Sequence, residues 1–96
     1  MGKFQVYEVM ASGAGVAITG RLLEGIIARG NRVCCAYCAD TTGAILGEPI
    51  RLGLLIEEIV AYGRSIDEIE EGLTALLRLR GDWATQVSQG WIVEIR

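Results

Sequence analysis

The sequence contains no histidine, one proline and only 6% aromatic residues. Without histidine it lacks both the usual general base near neutral pH and the commonest zinc ligand. No apolar run approaches the roughly 20 residues a membrane helix needs, and the opening MGKFQVYEV has no apolar core of a secretory signal. Tyr7 stands where a myristoylation motif wants Ser or Thr. These features predict a cytoplasmic protein with no membrane partner. No G-x-x-x-x-G-K-[ST] loop is present, so no nucleotide is expected as ligand or cofactor. Cationic surplus is missing too: nine basic against twelve acidic side chains leave a net charge of -3. RNA binding, which rests on clustered Lys and Arg, is therefore expected to be weak.

Cysteine is scarce and clustered, as Cys34, Cys35 and Cys38. On a strand, Cys34 and Cys38 stand about 13 Å apart at ~3.3 Å per residue, too far for a disulfide. Cys35 and Cys38 point to opposite faces, and a bridge between neighbouring Cys34 and Cys35 is strained. Reduced thiols are expected. Zinc lacks a fourth Cys or His ligand, so no metal site is expected.

What is abundant is glycine and apolar residues: 13 glycines, and 51% of the 96 residues apolar. That length suits one domain spanning 1–96. In GVAITGRLLEGIIARGNRV, Gly15 to Val33, glycines punctuate apolar and β-branched residues at intervals too short for a helix. Lys3–Met10 reads as a strand, ASGAG as a turn and Gly15–Leu23 as a second strand with Val16, Ile18, Gly20 and Leu22 on one face. Glu24–Gly25 and Arg29–Asn31 read as turns around a short IIAR strand. Arg32–Cys38 follows, with Val33, Cys35 and Tyr37 on one face, and then a loop. The second half is ambiguous. Ile56 to Leu79 has helical spacing broken at Gly63. It also fits a strand Leu54–Tyr62, a helical turn at Ile66–Ile69, a turn at Glu71–Gly72 and a strand Leu73–Leu79. Trp91–Ile95 reads as a last strand.

Taken in order, Val6–Val9, Gly13 and Gly15, Thr19-Gly20-Arg21, Gly25 and Gly30-Asn31 before Val33 resemble the second domain of translational GTPases, typified by elongation factor Tu. SIDEIEEG at Ser65–Gly72, LLRLRG at Leu76–Gly81 and Gly90 before Trp91 extend the resemblance over nearly the whole chain. It implies an all-β fold, a closed six-stranded Greek-key β-barrel of the elongation factor Tu domain-2 type, here without a GTPase domain. It also favours strands over helices in the second half. In that family the domain contacts the aminoacyl end of transfer RNA or ribosomal RNA, and packs on the GTPase domain. The family's acidic and basic residues beside the aminoacyl pocket fall on Val60 and Gly63, its phenylalanine on Tyr62 and its lysine on Arg64. The charged pair is thus absent.

Tyr62 and Arg64, with Arg21 and Arg29, form the candidate binding surface; Arg32 and Arg51 are further cations that could join it. No Ser, Cys or carboxylate has a partner base, so no enzyme is expected. Leu52, Leu54, Ile56 and Val60 at period two, with Leu55 and Ile59 between them, make a strand apolar on both faces. Such strands are normally covered on both. Leu55 and Ile59 are accordingly a candidate interface, covered by a second copy, another protein or the segment Ala39–Pro49; Trp83 and Trp91, flanking the last turn, read as core or barrel-end plugs and, as the alternative, as part of that interface. The expected function is a non-enzymatic binding module acting through a protein partner or itself, with an RNA- or ribosome-binding module as the alternative. Calorimetric titration with GTP or ATP is expected to give no saturable heat; stoichiometric binding of either would overturn the reading of the missing phosphate loop.

Overall fold

The computed structural model describes residues 1–13 and 15–96. The elements are β1 (Gly2–Ser12), β2 (Gly15–Ala28), β3 (Arg32–Ala39), β4 (Ile45–Ala61), β5 (Arg64–Ile66), β6 (Glu68–Glu70), β7 (Thr74–Arg80) and β8 (Ile92–Ile95). All the pairings are antiparallel. They run β1-β8-β3-β4-β7-β2, and β2 pairs back with β1, a ring of six strands. β6 hangs from the end of β2 and β5 from the end of β4. The all-β expectation holds.

The core sits inside the ring. Phe4 and Val6 of β1, Ile18 and Leu22 of β2, Leu54, Ile56 and Ile59 of β4 and Leu77 of β7 are fully buried in one cluster. β7 shows the period-two rule plainly. Ala75, Leu77 and Leu79 point in, while Thr74, Arg78 and Arg80 stay exposed. The helical spacing of Ile56–Leu79 yields to turns at Gly63 (φ 73°) and Gly72 (φ 92°), which reverse the chain. The expected helical turn at Ile66–Ile69 is instead β5 and β6, each pairing with a longer strand.

Where the strands depart from period two, they carry bulges. Tyr7 and Glu8 stand across from Thr19, because Val6 pairs with Gly20 and Glu8 with Thr19. Leu23 is the extra residue between Leu22 and Glu24 on β2. Cys34 is extra on β3 against β8, and Glu57 is extra on β4 against β7. A bulge sets two consecutive residues against one partner and bends the strand. These bends, with two further register shifts between β3 and β4, let one sheet curl round onto its own edge.

These bulges correct the sequence reading at several points. Glu24–Gly25 is not a reversal: β2 runs on to Ala28, and Gly25 (φ 88°) marks where it leaves β1 and takes up β6. Val33 and Ala36 share the interior, rather than Val33 and Cys35. After the bulge at Glu57 it is Ile59 that points in, fully buried, and Val60 that points out. Ile59 is therefore part of this chain's own core and cannot be an outer interface. The segment Ala39–Pro49 is no cover either. Only 40–44 is a loop, and β4 starts at Ile45 as an arm paired with β3.

Gly20 shows how tightly the ring closes. A Cβ there would collide with the Gln5 carbonyl oxygen and stand 2.6 Å from Phe4 Cε1. Gly20→Ala is expected to cost about 2–3 kcal/mol in urea unfolding, the upper part of the overpacking range. Gly53→Ala meets nothing within 4 Å and should change stability by less than about 1 kcal/mol, in the stabilising direction.

Candidate functional site

β4 and β5 are joined by Tyr62 and Gly63 alone, with Ala61 paired to Arg64. Both linking residues have positive φ, 55° and 73°. This is the backbone of a type I′ hairpin turn, whose preferred sequence is Asn-Gly. Tyrosine at its first position costs conformational energy, on the order of 1–2 kcal/mol for an L-residue in the left-handed region. Tyr62 is the one non-glycine residue with positive φ among the described residues, and its side chain is 79% exposed. Exposed to that degree, it has little packing to offset the strain.

Tyr62 stands on the rim of a shallow groove of about 290 Å³ on the outer face of the ring. The β1 bulge delivers Tyr7 to the same groove. β2 supplies Thr19 and Gly20, β4 Val60 and Ala61, and β7 Thr74, Ala75 and Leu76. Register explains the grouping: Leu76 lies across from Thr19 on one side and Val60 on the other. The Thr19 hydroxyl oxygen is buried and has no hydrogen-bond partner within the protein. A buried polar atom left unpaired costs about 1–3 kcal/mol. Two tyrosines and an apolar floor of Val60 and Leu76 make a surface suited to binding.

The groups whose protonation the fold shifts lie elsewhere. Burial, then the Glu94 carboxylate, pushes the Cys35 thiol up to about 11. Burial also raises Tyr37. The Thr42 hydroxyl and amide, then the Ala44 amide, donate to Asp40 and hold its carboxyl below the usual range, fixing the loop at the tip of the β3–β4 arm.

Of the residues expected in the binding surface, the structure gathers Tyr62 and Arg64 at one hairpin. Arg21 sits one residue beyond Gly20, across from Thr74, and is exposed beside the groove. Arg29 lies apart, bound to Asp67 at 3.2 Å, in a hollow shared with Glu57, Glu58 and Arg78. Arg32 lies across from Leu55 and Arg51 across from Cys35, so the arginines do not form one basic face. Of the expected interface, Leu55, Trp83 and Trp91 are half-buried. Trp83 and Trp91 pack on the core, and Trp83 Nε1 donates to the Val87 carbonyl at 3.3 Å. Sequence reasoning missed Tyr7 and Thr19. Nothing in FQVYEV marks the bulge that turns Tyr7 outward. Thr19 was visible only as part of Thr-Gly-Arg.

No family model matches the sequence, and no curated protein matches it. Among solved structures, the chain is similar to translation elongation factor SelB from Methanococcus maripaludis in its apo form, with TM-score 0.74 and 22% identity over 96% of this chain. It is similar in the same way to that protein in complex with the GTP analogue GppNHp, with TM-score 0.73 and 22% identity over 95% of this chain. The chain spans 18% of the length of each SelB chain. The likeness is one of fold, and it agrees with the translation-factor resemblance carried by the glycine pattern.

Tyr62→Asn restores the residue the turn prefers. It is expected to stabilise the protein by about 1 kcal/mol, read as a raised urea midpoint at unchanged m-value. A destabilised variant would show that Tyr62 makes up its strain through contacts within the chain.

Proposed function

We propose that this chain is a non-enzymatic binding module of the translation-factor type, a closed six-stranded Greek-key barrel that presents the tyrosine groove to a protein partner in the cytoplasm. The observation that carries this reading is Tyr62, held exposed in a strained turn on a groove that Tyr7 also lines. Strain kept at an exposed aromatic is a mark of function rather than of stability. Tyrosine is also enriched at the centres of protein interfaces. Net charge supports a protein over a nucleic acid, since the chain carries -3 and its arginines are dispersed.

Self-association is the variant of this reading in which the partner is another copy. With Ile59 interior, its apolar surface would be the exposed Ile45 and Leu46 of the β3–β4 arm and Val9 and Met10 of β1, beside the half-buried Leu55, Trp83 and Trp91. One observation favours a second reading, an RNA or ribosomal end bound at the same groove. Arg64 and Arg21 flank Tyr62 and the groove, giving a stacking ring with cations at its side. The fold likeness to SelB points the same way.

A photo-crosslinking amino acid placed at position 62, with position 68 on β6, outside the groove and the arm, as the control, separates the readings in cells. Protein adducts specific to position 62 are expected. RNA adducts there would shift the function to the second reading, and adducts equal to the control would reject the groove. In solution, RNA affinity is expected to be weaker than about micromolar at physiological salt and to fall further as salt rises; nanomolar binding would overturn the protein reading.

A further inference from the structure

The bulge on β3 has a chemical consequence outside the groove. Neighbouring residues on a regular strand point to opposite faces. Here Val33 and Ala36 are both fully buried in the core, and between them Cys34 and Cys35 stand across from Glu94 of β8. Two consecutive residues between two interior ones must both face outward. Cys34 and Cys35 accordingly line the same hollow, about 450 Å³ and open to solvent, with Arg51, Leu52 and Arg96. Cys34 Sγ donates to the Glu94 carbonyl at 3.3 Å, and the Cys34 thiol adds, after burial and Glu94, to the upward push on Cys35. A regular strand would have separated these sulfurs.

We propose that Cys34 and Cys35 form a vicinal dithiol site for a trivalent arsenical, which bridges the two sulfurs. The donor set fits that class. The hollow offers two sulfurs, and Cys38 is not among its lining residues. Among the described residues no group of three Cys, His or acidic side chains comes together, so a tetrahedral ion finds too few ligands. An organoarsenic centre brings its own third substituent and needs two sulfurs only. The protonation state fits as well. Cys35, pushed up to about 11, is a thiol at neutral pH and a poor nucleophile toward alkylating agents. An arsenic oxide carries its own proton acceptor. Two S–H bonds break, two S–As bonds form, and the oxide oxygen leaves with both protons as water. No electron changes hands.

The test uses the reduced chain and phenylarsine oxide. One equivalent is expected to bind, leaving one of the three cysteines (Cys38) open to alkylation in denaturant. Mass mapping of the wild-type adduct identifies the protected pair without any variant. Cys34→Ala and Cys35→Ala should each weaken capture about 100-fold, because the second bond is then no longer intramolecular. Cys38→Ala should bind as the wild type does. The adduct should survive excess glutathione and be released by dimercaptopropanol. Protection of Cys38, loss of capture in Cys38→Ala, or no adduct at all would overturn the site.

Discussion

The pairing of β1 with β2, on the edge away from β8, is the contact on which the rest of the structure depends. An open sheet of this composition would leave two long edges of unpaired amides and an apolar face in water. The β1–β2 pairing joins the ends, so the face that carries Phe4, Ile18, Leu54 and Leu77 becomes an interior. It demands close backbone approach at Gly20, where the Gln5 carbonyl occupies the space a side chain would need. It also demands curvature, which flat period-two strands cannot supply. The bulges at Tyr7, Leu23, Cys34 and Glu57 supply it.

That dependence separates what the sequence discloses from what it hides. Turns are local, and glycine marks them. Gly30, Gly63 and Gly72 all adopt positive φ where a reversal is expected. Strand identity in the second half is not local. Ile56–Leu79 satisfies a helical period and a strand period equally, and only the glycine order in relation to a known module decides between them. Bulges are hidden for a different reason. An extra residue leaves no mark in composition, because any residue that tolerates the surface can fill it: tyrosine, leucine, cysteine and glutamate do so here. Each bulge then inverts the inside–outside assignment of everything downstream on its strand. That inversion is why Ile59 is core and Val60 lines the groove. An argument from two apolar faces on β4 fails for the same reason, since the strand has one continuous inner face with a step in it.

The tyrosine groove follows the same division. Tyr62 is legible through the family resemblance, whose phenylalanine falls on it; its place in a turn that ordinarily takes Asn-Gly appears only with the hairpin. Tyr7 is illegible because its exposure depends on the β1 bulge, and Thr19 because its isolation depends on strands far apart in sequence. Arg29 resembles Arg21 and Arg64 in the sequence and differs from them only in space, where Asp67 holds it on another side.

Curvature and the chemistry of the outer face share one device. Each bulge turns two neighbouring side chains to the same outer face, a juxtaposition a regular strand forbids. On β4 the doublet is Glu57–Glu58, which meets Arg80 at 3.3 Å and Arg78 at 2.7 Å in exposed ion pairs. Such pairs contribute little to stability, about 0–1 kcal/mol each. On β3 the doublet is Cys34–Cys35, two sulfurs brought to one hollow. On β1 it is Tyr7–Glu8, which places an aromatic ring in the groove beside Tyr62. The interior constrains these positions only to be outward, so their chemistry is free to vary while the ring stays closed. A chain whose core is fixed by ring closure can therefore change the chemistry of its outer face by changing its bulge doublets, at little cost to its fold.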